Sequence, residues 1–412
     1  MFIDLSPLRK SREYRLLYAG QTVSFFGSML TYVAVPYQVF QLSRSSLWVG
    51  LLGTFQLVPL LAAALYGGAL ADALDRRRML VFSEFALAAC SGLLALNARW
   101  AHPSLVLVFF VAAAMSTVNG FHTPALQAMT QELVARDDQP AAAALGAFRY
   151  SLGSIAGPAC AGLVIAAVGL SSAYLVDAVS FAASLLCLAA MKPLPRKAPG
   201  ISSPVGSIVE GIRYAARRPE LIGTYVVDIV AMIFAMPMAL FPAMGEWWSG
   251  ATAAGWLYSA MAIGSLVMTL FSGWTSRVRR HGSAIVIAAT VWGLAVVALG
   301  FAPNLPTAVA CLAIAGGADQ VSGIFRQTIW NQTIPNDLRG RLSGVEMISY
   351  MSGPLLGNSR AGWVATRFDI ATSVVSGGIM CVLGVLACIP LLPAFWAYRS
   401  DPAPLPVRES AA

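Results

Sequence analysis

Twelve apolar runs of membrane length, divided by short charged breaks, constrain this chain more than any other feature. They fall near residues 16–42, 47–70, 79–98, 104–131, 142–168 and 172–191, and again near 219–244, 253–275, 283–302, 306–332, 342–366 and 372–397. Each is long enough for one helical crossing of a bilayer, which takes about 20 apolar residues. Twelve crossings use nearly all of the 412 residues, so no substantial soluble domain fits beside them. Only 11% of the residues are charged, against about 25% in soluble domains, too few to solvate a globule of this size. The sequence predicts an all-α polytopic membrane protein with lipid as the solvent for much of its surface.

The basic residues orient it. With both termini cytoplasmic, the inner loops hold clusters such as Arg9-Lys10, Arg76-Arg77-Arg78, Arg196-Lys197, Arg217-Arg218 and Arg279-Arg280, while the outer loops hold only Arg44, Arg99 and Arg367. This is a strong positive-inside bias; Arg149, Arg326 and Arg360 fall inside spans. The net charge of +8 therefore punctuates apolar runs and forms no nucleic-acid-binding face. The first fifteen residues carry no cleavable signal pattern, and the six cysteines sit in apolar segments without metal-ligand spacing. They read as small packing residues, with no metal site and no cofactor implied. Residues 1–191 form a first six-helix bundle and 219–412 a second with a short cytoplasmic tail. Residues 192–218 form a proline-bearing cytoplasmic linker whose end, 207–218, suits a short amphipathic surface helix.

The halves echo each other at an offset of 200. Gln127 matches Gln327, Tyr150 matches Tyr350, Gly153 matches Gly353, and Ala161, Gly162 and Val164 match Ala361, Gly362 and Val364. An ordered series of this kind points to a duplicated six-helix unit, two parallel repeats about an axis along the membrane normal.

Charges inside spans cost roughly 2.5–3.5 kcal/mol each on insertion scales, so they mark a partner, a cavity or a function. Asp319 and Arg326 lie two turns apart on the tenth helix, about 10 Å along one face, too far for a direct pair without bent side chains. Each is expected to face a shared polar cavity or another helix. Asp228 has no basic residue in its own span; a lone intramembrane carboxylate is the simplest proton carrier, although Arg326 or Arg149 could hold it across the bundle. Asp177, near the outer end of the sixth helix, is expected to reach interfacial water. Polar stripes at helical spacing, Gln21, Ser24, Ser28 and Tyr32 on the first helix and Ser116, Asn119, Thr123, Gln127 and Gln131 on the fourth, suggest a central substrate path. The alternative is that these side chains glue helices together. His122 has no ligand cluster around it. Gly153 to Gly162, with Gly157 and Pro158, and Ser352 to Gly357, with Gly353 and Pro354, combine helix-bending prolines with close-packing glycines. They suit either a gate or plain packing.

Gly68-Ala-Leu-Ala-Asp72-Ala-Leu-Asp75-Arg76-Arg77-Arg78 lies in the hairpin between the second and third runs. It resembles the signature loop of major facilitator superfamily transporters, with Ala73 in place of a basic residue and Asp75 in place of glycine. The resemblance implies the major facilitator fold, twelve transmembrane helices in two six-helix pseudo-repeats, and a gating role for Gly68, Asp72, Arg76 and Arg77. The Gly157-Pro158 segment resembles the antiporter motif of drug exporters. Tyr32 to Phe40, Asp228 to Met232, Met236 to Pro242, Ala318 to Arg326 and Pro335 to Gly344 resemble the enterobactin exporter-like branch. Met238 stands where relatives of that branch often carry arginine.

That likeness implies a bacterial inner-membrane proton antiporter, monomeric, exporting a siderophore-like or amphipathic small molecule. From their positions within the spans, and not from the likeness, Asp228 or Asp319 is expected to carry the proton and Arg326 to contact an anionic substrate. Multidrug efflux, a nutrient importer or uniporter of the same fold, and a non-transporting sensor or scaffold are the alternatives. The chain has no Gly-x-x-x-x-Gly-Lys-Ser/Thr loop for its own nucleotide and no nucleophile–base constellation, so it is not read as an enzyme.

Overall fold

The computed structural model describes residues 4–73, 75–192, 213–335 and 339–400, with the backbone alone at 64–73 and 339–349. Twelve long helices follow the apolar runs. The first six are α1 Arg12–Ser43, α2 Ser46–Ala73, α3 Arg76–Arg99, α4 Leu105–Leu133, α5 Gln139–Val168 and α6 Leu170–Ala189. The second six are α7 Pro219–Ala235, α8 Ala251–Leu270, α9 His281–Leu299, α10 Leu305–Thr333, α11 Arg339–Arg367 and α12 Ile370–Leu391. Among the described residues, eleven spans are long and apolar enough to cross a membrane. The remaining long helix, α11, has 29 residues and carries Asn358, Ser359 and Arg360 within its length. Half of the expected surface helix over 207–218, residues 207–212, lies outside the described residues, and 213–215 are helical.

Local signals set the helix starts. Ser11, Asp75, Ser104, Asn304 and Asp369 each accept a first-turn backbone N–H of the helix that follows, satisfying donors that the helix leaves open. The peripheral helices α3, α6, α9 and α12 turn side chains such as Phe82, Leu186, Leu294 and Leu383 outward. Water would penalise that apolar surface; hydrocarbon does not.

The seventh span departs from the expected continuous helix. α7 ends at Ala235, Met236 is extended, and the chain resumes as a 3-10 turn, Met238–Leu240, and a short helix, Phe241–Gly245. Pro237 has no N–H and biases Met236 away from helix, which explains the position of the break. Irregular backbone at membrane depth needs partners from elsewhere in the protein, and neighbouring helices supply them. Arg360 Nη1 donates to the Phe234 carbonyl at 2.9 Å, Asn358 Oδ1 accepts from the Ala239 N–H at 2.9 Å, and the Tyr258 hydroxyl donates to the Met238 carbonyl at 3.0 Å. Arg360 also reaches the Ser373 carbonyl and Ser376 Oγ on α12. Replacing Arg360 with Met is expected to lower stability by about 2–3 kcal/mol, the scale of stranding polar groups that a charged donor had satisfied. A thermal melt of the purified protein checks this; an unchanged melting temperature would mean that packing alone holds the break.

The two six-helix repeats meet along two crossings, α2 on α11 and α5 on α8. The glycines that echo at an offset of 200 make equivalent close approaches in the two repeats. A Cβ at Gly153 would strike Phe25 of α1 and one at Gly353 would strike Met232 of α7, each within its own repeat. A Cβ at Gly162 would meet Ala251 O, Thr252 and Gly255 of α8, and one at Gly362 would meet Ser46 and Leu47 of α2, both across the repeats. The hydrogen bonds Thr54–Ser359 at 2.6 Å, Ser359–Gly50 O at 2.9 Å, Thr366–Leu47 N at 3.2 Å and Ser259–Ile155 O at 2.8 Å reinforce the same crossings. These contacts gather toward the end of the molecule that carries the α1–α2 and α7–α8 loops.

Candidate functional site: an ionic triad and a buried acid pair

Three charged side chains meet between α7 and α10. Arg326 forms an ion pair with Asp228 across the helices and reaches back along its own helix to Asp319 Oδ1 at 3.4 Å. A long guanidinium side chain thus closes the two-turn gap that backbone spacing alone leaves open. Trp330, one turn beyond Arg326, donates to Thr224 Oγ1 at 2.9 Å and stacks on Tyr225. Thr224 lies one turn before Asp228, so this second contact fixes the register of α7 on α10 at the ion pair. The members differ in access: the side chains of Asp228 and Arg326 are 9% and 13% exposed, that of Asp319 38%. Asp319 lies midway along α10, so this exposure falls within the span and not at its end.

Of the two possibilities for Asp228, the geometry matches the one in which Arg326 holds it across the bundle. Arg326, expected to contact an anionic substrate, is here shared by two carboxylates.

The first repeat contains acids that sequence reading missed or misplaced. Glu84 of α3 is fully buried; its Oε1 accepts from Gln21 Nε2 at 2.5 Å and lies 3.2 Å from His122 Nε2, while its buried Oε2 has no hydrogen-bond partner. Glu84 lies inside the third apolar run, where sequence reading singled out no charge. The signal available was one acid inside an apolar run, with a histidine and a glutamine on neighbouring helices. Asp177 does not reach interfacial water. It is fully buried, and Thr31, Ser91 and Ser28 donate to it at 2.6, 2.7 and 3.5 Å.

The polar stripe of α1 is therefore divided. Gln21 is 3% exposed and bonded to Glu84 and Ser184 in the interior of the first repeat, while Ser28 is half-buried and donates to Asp177 at 3.5 Å. The helical spacing was read correctly, but the rotation of α1 turns these residues toward α3 and α6. Tyr32 stays 44% exposed, with its hydroxyl 3.2 Å from Met238 Sδ and its ring edge-on to Tyr258 at 5.5 Å, beside the break in α7. Asn119 is exposed and donates to the Met115 carbonyl at 3.0 Å. Gln127 lines a cavity of about 470 Å³ between α1, α4 and α5.

In the α2–α3 hairpin, the side chain of Asp72 lies outside what is described, and Gly68 is placed by its backbone within α2. Asp75 caps α3, accepting from the Arg77 and Arg78 N–H groups at 3.0 and 3.2 Å, a task glycine has no side chain to perform. Arg76 pairs with Glu132 of α4 at 2.8 Å, and Arg77 donates to the Leu188 and Ala189 carbonyls that end α6. These contacts tie three helices of one repeat together. Gly157 packs on Met29 of α1, while Pro158 and Gly162 meet Gly255 of α8, and α5 continues unbroken through Pro158.

Comparison with known proteins agrees with this architecture. The chain is 26% identical over 392 residues to the enterobactin exporter EntS of Shigella flexneri, covering 95% of this chain and 94% of the relative. A POT family transporter in complex with 5-aminolevulinic acid superposes with a TM-score of 0.72 at 11% identity, covering 93% of this chain and 97% of the other. A bacterial homologue of the iron transporter ferroportin in an inward-facing state gives 0.71 at 14% identity, covering 94% and 98%. These structures share the major facilitator fold. The chain is a membrane transporter and not an enzyme, and the match of residues 3–404 to the family described as transmembrane secretion effector shows that it belongs to that family.

Proposed function

We propose that this protein is a proton-coupled exporter of a siderophore-like or amphipathic small molecule, working by alternating access in the bacterial inner membrane with both termini cytoplasmic. The observation that carries the coupling is the sharing of Arg326 between a shielded Asp228 and an accessible Asp319. With both acids ionised the cluster bears one net negative charge; with one protonated it is neutral. Enclosing a net charge in low dielectric is costly, whereas a neutral, internally paired cluster is tolerated. Proton binding at Asp319 thus permits closure of the surrounding space, and proton release on the other side resets it.

The contacts near the α1–α2 loop support a state sealed on the outer side, since the basic residues favour placing that loop outside. The cavity between α1, α4 and α5, which runs to the α4–α5 connection, then lies toward the cytoplasm, where an exporter collects its cargo. Enterobactin, named for the relatives, is the first cargo to test. Everted membrane vesicles energised with an acidic interior are expected to accumulate it, and to stop when the pH gradient is collapsed. Accumulation that ignores the gradient would remove the proton from the mechanism, and loading only of right-side-out vesicles would make the protein an importer.

A further inference from the structure

Arg149 of α5 is the intramembrane cation that the triad leaves unexplained. Among the described residues it makes no hydrogen bond and no ion pair. Its Nε is buried without a partner, and the ionisable groups acting on it are the phenols of Tyr14 and Tyr18, with no carboxylate beside them. A guanidinium has five N–H donors and stays charged under all ordinary conditions, so stranding it inside a span is expensive unless something arrives to meet it.

What surrounds it is a built space. Arg149 closes one end of the cavity of about 470 Å³ that runs to the α4–α5 connection at Val134 and Gln139. Thr123, Gln127 and Gln131 of α4 and Tyr18 of α1 contribute to the walls. The volume falls in the range of small-molecule sites, about 300–1,000 Å³. Amide and hydroxyl groups around one uncompensated cation, with apolar and aromatic surface beside them, suit an anionic oxygen group on a ring-bearing molecule. Arg326 cannot offer the same, because its charge is already matched by Asp228 and Asp319.

We propose that the Arg149 cavity is an anion-binding subsite, the place where a carboxylate or similarly charged oxygen group docks in the wall of the first repeat. This rests on the exporter reading for its cargo, because the cavity opens toward the α4–α5 loop, the side from which an exporter loads. The anion-binding chemistry itself does not depend on transport. An anionic lipid headgroup shares that chemistry, and the test separates the two sources.

The probe is 2-naphthoate, with 2-naphthamide as its neutral twin, titrated calorimetrically into the full-length protein in phosphatidylcholine nanodiscs. The expected result is a preference for the carboxylate of about tenfold, the scale of one charge-assisted hydrogen-bonded contact. Arg149→Gln should erase that preference and Arg149→Lys should keep part of it. Arg149→Gln should melt no lower than the parent protein, since it removes a stranded charge. Equal naphthoate binding by Arg149→Gln, no binding by the parent, or a large drop in its melting temperature would overturn the proposal, the last by making Arg149 a structural residue. Nanodiscs containing phosphatidylglycerol identify the source. If that lipid displaces naphthoate in an Arg149-dependent way, the anion site belongs to a headgroup; if naphthoate stays, it belongs to cargo. Arg149-dependent binding in a protein whose everted vesicles fail to load would sink the exporter reading and leave the anion site standing.

Discussion

An Asp319→Asn protein is expected to fold, insert and move its cargo down a gradient, yet to lose uphill accumulation driven by protons. Asparagine fixes the cluster at neutrality, with Arg326 balanced by Asp228 alone, so the surrounding helices can close whether or not a proton is bound. One coupled proton and a gradient of one pH unit sustain about tenfold accumulation, equivalent to ~1.4 kcal/mol, and that factor should fall to unity in everted vesicles. Asp228→Asn should behave differently. It removes the shielded partner of a buried guanidinium, and breaking a buried pair from one side costs about 3–5 kcal/mol, so the first symptom is a lower melting temperature. The two variants therefore separate an exchanging carboxylate from an anchoring one. Full pH-driven accumulation by Asp319→Asn would leave the triad as a structural clamp and move the search for the proton carrier to Glu84 and His122.

The reason that such a search is needed lies in how much a single sequence determines. The helices were legible because hydrocarbon sets their length and the arginines mark their ends. The repeat was legible because Gly153, Gly162, Gly353 and Gly362 answer to crossings that occur twice. Side-chain direction was less so. Gln21, Ser28 and Tyr32 share a helical stripe, but a modest rotation of α1 delivers the first two to Glu84 and Asp177 and leaves Tyr32 at the interface between repeats. Arg326 reaches Asp228, ninety-eight residues earlier in the chain, because α7 packs beside α10 in register with Thr224 and Trp330, and no local pattern encodes that register. The break in α7 was signalled by Pro237, yet whether a membrane helix breaks or merely bends there depends on partners, and those came from Tyr258, Asn358 and Arg360.

The proposed alternating access makes the two glycine crossings the second place where a small change should have a large effect. Gly162 approaches α8 so closely that an added Cβ would lie 2.5 Å from Ala251 O and 3.0 Å from the Thr252 Cα. Backbone cannot step aside as a flexible side chain can, so Gly162→Leu has to push α5 and α8 apart, and overpacking of this kind costs about 1–3 kcal/mol. That cost falls on the state in which the crossing is sealed and is absent from the state in which it is open. About 1.4 kcal/mol shifts such an equilibrium tenfold, so the protein should dwell with this end open and transport should drop by at least that factor. Gly362→Leu, its counterpart against Ser46 and Leu47 of α2, should do the same. Gly92→Leu, where a Cβ would meet nothing within 4 Å, is the control and should transport normally. The state itself can be read from Thr54→Cys, placed where Thr54 meets Ser359 in the sealed crossing. Its labelling by an impermeant maleimide, over the background of the native thiols, should be slow in the parent protein and fast with either leucine. Slow labelling and normal flux in both leucine variants would mean that these crossings are static packing, and that whatever opens the outer side of this transporter moves without parting α5 from α8 or α2 from α11.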